Sequence, residues 1–151
     1  MIAKEKLNIL WSLEQTAEKY ADRVAVSDVN QELTWKELVK KAQVIGAELS
    51  EKVQPGNPVP VLLEKSSETL AVMLGIVYAG CFYVPVNPMN PTERLRKIME
   101  KLDPEVIISD EKGKEQLAAV GNGLENKVMG PEALTTATGT ELSEEQYSRL
   151  E

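Results

Sequence analysis

The sequence predicts an α/β protein in which a mostly parallel sheet is covered by helices on both faces. Two observations carry this reading. Short apolar runs alternate with amphipathic segments, the order that builds parallel strands through helical crossovers. The runs at 59–63, 82–84 and 106–108 contain no charged residue, as expected of strands covered on both sides. A chain of 151 residues is long enough for one domain whose core needs no staples.

Leu10, Leu13, Ala17 and Tyr20 fall at helical spacing and predict an opening helix from about Asn8 to Tyr20. Val24-Ala25-Val26 follows as a short strand, and Asn30-Gln31 fits a turn into Leu33. In LTWKEL, residues 33–38, Thr34 is placed to cap a helix and Glu37 to reach back to its amide, a capping box flanked by Leu33 and Leu38 as staple. Leu38, Ala42, Ile45 and Leu49 mark the inner face of that helix, which runs to about Lys52 and is broken by Pro55-Gly56-Asn57-Pro58. Val59 to Leu63 reads as a strand interrupted by Pro60. Ser66 or Ser67 caps the next helix, with Glu68 in its first turn. Its residues Leu70 to Val77 are apolar nearly all round, which calls for burial on most faces.

Gly80 is placed as the left-handed terminator of that helix, and Phe82 to Val84 as the strand that leaves it. Pro85 cannot donate to a ladder, so pairing is expected to fade there. Asn90-Pro91-Thr92-Glu93 predicts a helix with Asn90 as N-cap and Pro91 in its first position. Leu95, Ile98, Met99 and Leu102 form its inner face, and Asp103-Pro104 ends it. Val106-Ile107-Ile108 is a third buried strand, followed by a helix near Lys112 to Ala119, a Gly121-Asn122-Gly123 turn and a short strand at Val128-Met129. Residues 135–141 read as a flexible link, and Leu142 to Tyr147 repeats the box-and-staple pattern.

From Thr69 to Val86 no residue is charged, long enough to raise a membrane span. Gly80, the strand-forming residues after it and Pro85 divide the stretch into a helix and a strand of a buried core, so no membrane partner is expected. The net charge of −7 repels a phosphate backbone and argues against nucleic acid. With no histidine and one cysteine, Cys81, the chain lacks the parts of a Ser-His-Asp triad, a Cys–His pair or a zinc finger. It forms no internal disulfide, which fits a reducing, cytoplasmic setting.

No glycine-rich phosphate turn follows a strand. Gly121-Asn122-Gly123 follows a helix and reads as a plain turn, and Glu144-Glu145 as first-turn acids favoured by the helix dipole. Lys36, Lys40 and Lys41 read as a solvated helix face, Cys81 as a small core residue, and Trp11 and Trp35 as packing at helix starts. The remaining pointer is geometric. Ligands of open α/β sheets settle beyond the carboxyl ends of the strands, which places Glu64-Lys65-Ser66, Asn87-Pro88-Met89 and Ser109-Asp110 near a possible crevice.

LTWKEL and YAGCFYVPVNP, residues 78–88, resemble the first two core motifs of the adenylate-forming enzymes, whose usual forms are L-[TS]-Y-x-E-L and L-K-A-G-x-A-Y-V-P-[IVL]-D. Trp35 stands for the tyrosine, Tyr78 for the lysine, Phe82 for the alanine and Asn87 for the aspartate. PTERLRKIMEKLDPEVIISD, residues 91–110, resembles the next helix and strand of the amino-acid-activating branch, and 130–150 looks most like D-alanine–carrier-protein ligases. The resemblance implies the N-terminal subdomain of an adenylation domain. The parent enzyme would use ATP and Mg²⁺ to activate an amino acid or other small carboxylate and pass it to the phosphopantetheine thiol of a carrier protein. The family's phosphate loop, adenine contacts and C-terminal lysine lie beyond residue 151, so no catalytic, cofactor-binding or metal-binding residue carries over, and this chain alone is expected to be inactive. An acyl- or aryl-CoA ligase fragment and a non-catalytic α/β interaction module stay open as alternatives.

Overall fold

The computed structural model describes residues 8–135 and 142–150. Most of the expected link at 135–141 lies outside them; Thr135 itself ends a short helix. The helix α1 (Ile9–Lys19) is capped by Asn8, whose side chain accepts the Leu10 amide at 3.0 Å. β1 (Val24–Ser27) and β2 (Glu32–Thr34) then form an antiparallel hairpin, a sheet of their own.

The capping box forms as the sequence predicts. The Thr34 hydroxyl accepts the Glu37 amide at 3.2 Å and Glu37 accepts the Thr34 amide at 2.8 Å, starting α2 (Trp35–Ser50). This helix stops short of the expected Lys52 because the Lys52 and Val53 amides both turn back to the Leu49 carbonyl.

β3 (Pro58–Leu62), β4 (Phe82–Pro85), β5 (Ile107–Ser109) and β6 (Val128–Met129) form the parallel sheet in the spatial order β4-β3-β5-β6. Helices α3 (Ser67–Tyr78), α4 (Thr92–Leu102) and α5 (Glu111–Val120) connect them. Alternate strand residues serve opposite faces. Val59, Val61 and Ile108 pack with α1, α2 and α3, while Leu62, Val86 and Ile107 pack with Leu95, Met99 and Leu117 of α4 and α5.

Two prolines sit in β3 although it is flanked by β4 and β5. The register explains why this is tolerated. Asn57 and Val61 carbonyls accept the Phe82 and Val86 amides, so odd-numbered peptide groups of β3 face β4. Pro58 and Pro60 therefore turn their bare nitrogens towards β5, which pairs only from Val61 onward. By the same register Pro85 faces away from β3. Pairing does not fade at it: Pro85 is in register with Val61, and Val86 still donates to the Val61 carbonyl at 3.0 Å. β4 is the outer strand among the described residues, where a proline costs no ladder bond.

α3 ends in a Schellman motif. Gly80, at φ 76°, donates to Val77 O at 3.0 Å and Cys81 to Ile76 O at 3.1 Å. α4 begins one residue later than expected. Asn90 is drawn into an Asn87 turn, where Asn87 Oδ1 accepts the Met89 amide and Asn87 O the Asn90 amide, so Pro91 takes the cap position without a side-chain bond. A 3₁₀ turn (Leu124–Lys127) and α6 (Pro131–Thr135) follow sequence stretches that carry no clear helical period. α7 (Glu144–Ser148) forms the second capping box, Ser143 with Gln146. No helix among the described residues is long and apolar enough to cross a membrane.

Candidate functional site at the carboxyl ends of the parallel strands

Counted from β3, the sheet order reads 2-1-3-4, so the connections reverse direction between β3 and β5. The carboxyl ends of those two strands are where such a fold takes its ligand. The loops there are Leu63 to Ser66, leading into α3, and Asp110, leading into α5.

The amino end of α3 is ready for an anion, since free helical amides and the dipole both favour negative charge. The chain fills that position itself. Asp28, from the β1–β2 turn, accepts the Ser67 amide at 2.8 Å and the Ser67 hydroxyl at 2.7 Å on Oδ2, and the Asn30 and Gln31 amides on Oδ1. Gln31 Nε2 adds a 2.8 Å bond to Ser67 Oγ. The Ser67 hydroxyl and the surrounding amides hold the Asp28 carboxyl well below the usual carboxylate range. Ser66 caps the same turn by accepting the Thr69 amide at 3.0 Å.

One strand further along, a cleft of about 460 Å³ opens between the start of α5 and the β6–α6 connection. Asp110, Glu111, Lys112, Lys114 and Glu132 supply its charged lining. Asp110 is engaged as the N-cap of α5, accepting the Gly113 amide at 2.8 Å. Of the segments expected at the crevice, Ser109-Asp110 lines this cleft. Glu64-Lys65-Ser66 and Asn87-Pro88-Met89 stand at the same end of the sheet but outside the cleft, with Lys65 exposed.

The other candidates take structural places. Trp11 and Trp35 pack against the core, and Lys36 and Lys40 are exposed with Lys41 half-buried. Glu144 and Glu145 are exposed in the first turn of α7. Gly121, Asn122 and Gly123 all have positive φ and make the turn after α5. Cys81 is buried at the amino end of β4, its thiol within 3.4 Å of Gln54 O, and burial pushes its pKa up. That makes it an inert core thiol.

A buried polar cluster went unforeseen. The Tyr78 hydroxyl donates to Glu14 Oε1 at 2.9 Å, and Gln43 Nε2 donates to Tyr147 Oη at 2.9 Å and to Glu14 Oε1 at 3.4 Å. Burial first, and then the Glu14 charge, raise the Tyr78 pKa, so Tyr78 stays a donor. The cluster joins α1, α2, α3 and α7. Its sequence signal is a hydroxyl at the end of an otherwise apolar helix.

The anion position at the reversal point is taken by Asp28, and the neighbouring cleft sets three acids against two lysines. No cluster of three or more metal-ligating side chains occurs among the described residues.

Residues 13–149 match the family model described as AMP-binding enzyme. The chain belongs to that family. Among curated relatives, bacitracin synthase 1 of Bacillus licheniformis is 37% identical over 107 residues, 70% of this chain and 2% of that protein. Tyrocidine synthase 1 of Brevibacillus parabrevis is 32% identical over 122 residues, 80% of this chain and 11% of that protein. Among solved structures, the NpsA N-terminal subdomain of Klebsiella oxytoca, in complex with 3-hydroxybenzoyl-AMSN, superposes with a TM-score of 0.74. It shares 22% identity, over 87% of this chain and 32% of that one, and so shows the fold. VinN, in complex with 3-methylaspartate, gives a TM-score of 0.72 at 26% identity, over 87% of this chain and 39% of that one. The chain thus spans a small part of the curated synthases it matches and about a third of these solved chains. It is an adenylation-domain fragment of the type found in peptide synthetases, with a parallel sheet and flanking helices like their N-terminal subdomain.

Proposed function

We propose that the parent protein activates an amino acid as its adenylate, with ATP and Mg²⁺, and hands it to a carrier-protein thiol in the cytoplasm. The family match over residues 13–149 is the observation that carries this reading. The peptide-synthetase relatives favour an amino acid over other carboxylates, and residues 130–150 are the basis for a narrower reading, a D-alanine–carrier-protein ligase. In that parent the present chain is scaffold. Its sheet, with the capping box at Thr34 and the Gly80 turn, holds the strand ends that face the rest of the domain, and it performs no chemical step itself.

Amino-acid-dependent pyrophosphate exchange by a polypeptide that continues past residue 151 tests this. Exchange with one or a few amino acids is expected. Exchange driven only by fatty or aryl acids, with transfer to CoA, would replace the reading by an acyl-CoA ligase, and no exchange with any carboxylate by an interaction module.

A further inference from the structure

An asparagine side chain is open to attack by the backbone nitrogen of the residue after it, and this chain holds seven asparagines. Six of them are guarded. Asn57, Asn87 and Asn90 each precede a proline, whose nitrogen carries no hydrogen to lose. Asn8 caps α1 with its Oδ1 on the Leu10 amide, and the branched Ile9 follows it. The Gln31 amide, next after Asn30, donates to Asp28 Oδ1 at 3.0 Å. Asn126 stands inside the 3₁₀ turn, before the long side chain of Lys127. Asn122 has none of these guards. It is exposed, and Gly123 after it brings no side chain. Neither the Asn122 side chain nor the Gly123 amide makes a hydrogen bond among the described residues. The two residues, at φ 60° and 70°, are the centre of a turn of the I′ pattern. Its closing bond, from the Leu124 amide to Gly121 O at 3.5 Å, uses neither group.

We infer that Asn122-Gly123 is a self-modifying site, at which the folded chain deamidates without an enzyme. The Gly123 nitrogen gives its proton to solvent base and bonds to Asn122 Cγ. The bond from Cγ to the side-chain nitrogen breaks, and ammonia leaves a five-membered succinimide. Water then opens the ring at either carbonyl, giving aspartate or an isoaspartate whose backbone runs through the former side chain. The sum is one amide and one water converted to one carboxylate and one ammonium ion. The two products differ in what they do to the fold. Asn122 shares a hollow of about 170 Å³ with Arg96, Glu100, Asp103 and Lys127, so either product adds a third carboxylate beside two cations. Isoaspartate also puts an extra methylene into the backbone just before Leu124. Leu124 is buried with Leu117 and Val120 of α5, so the longer backbone disturbs packing that the aspartate leaves in place.

Incubation of the folded 151-residue chain at neutral and mildly alkaline pH, followed by peptide mapping with mass spectrometry, decides it. Asn122 is expected to convert at least tenfold faster than Asn30 or Asn126, with both isomers formed and a rate that rises with pH. Asn122→Gln, whose longer side chain closes a ring poorly, should abolish conversion there and leave the denaturation midpoint unchanged. The separated isoaspartate form should unfold at lower denaturant than Asn122→Asp, which carries the same charge on an ordinary backbone. No conversion at Asn122 in the folded chain, whether or not a free peptide of residues 118–127 converts, overturns the inference. So does conversion of Asn30 and Asn126 at the same rate, which would mean that sequence exposure in the unfolded chain governs the reaction. Equal midpoints for the isoaspartate form and Asn122→Asp would overturn its structural consequence.

Discussion

Asp28 shows how much one side chain settles at the residue scale. Its carboxylate closes the turn of the hairpin through Asn30 and Gln31 and caps α3 through Ser67, so a two-stranded sheet and a helix of the main layer share one anion. Its pKa is depressed in the folded state, and an unfolded chain therefore binds the proton more readily. Stability from this group is present above the ordinary carboxylate range, near 3.8, and is lost as pH falls below it. Asp28→Asn should lower the urea midpoint at neutral pH and flatten its decline on acidification from about pH 4 towards 2. An unchanged midpoint together with an unchanged acid limb would mean that the clasp contributes nothing. No pattern in the sequence marks Asp28, because its partner Ser67 lies far along the chain and the neighbouring Asn30-Gln31 reads only as a turn.

At the scale of elements, the closest packing is between α2 and α3. A Cβ at Gly46 would stand 2.5 Å from Tyr78 Cβ and 2.9 Å from the Gly75 carbonyl oxygen, and one at Gly75 would stand 3.0 Å from the Ala42 carbonyl oxygen. The two helices approach this closely only because both positions are glycine, and neither has a positive φ to require it. Gly46→Ala gains about 1 kcal/mol of helix propensity but overpacks against atoms that cannot swing away, at a cost of about 1–3 kcal/mol. A net loss of roughly 1–2 kcal/mol is expected from chemical denaturation. A stabilised variant would show that the helices can separate without penalty.

What was legible at this scale follows from range. Both capping boxes, the Gly80 terminator and the parallel strands rest on residues a few positions apart, and all are present. The missed features are pairings across distance: Gly46 with Gly75, and Glu14 with Tyr78. The misjudged Pro85 belongs here as well, since whether it ends a strand depends on which neighbour its nitrogen faces, and that is a property of the sheet.

For the whole molecule, the order of strands turns a common fold into a definite crevice, and the chain's own residues decide what the crevice is worth. The strand–helix order places three segments near a possible crevice, of which Ser109-Asp110 lines a cleft while Glu64-Lys65-Ser66 and Asn87-Pro88-Met89 lie outside it. That the neighbouring helix start is filled by Asp28 required the hairpin's position, which local sequence does not encode. We propose that this chain is scaffold within an adenylation domain and holds no nucleotide of its own. Calorimetric titration of the 151-residue chain with Mg-ATP tests it most directly. No heat of binding is expected at nucleotide concentrations up to about a millimolar, where even weak complexes worth ~4 kcal/mol are half formed. A saturable isotherm with micromolar affinity would overturn this proposal and place a nucleotide site within these residues.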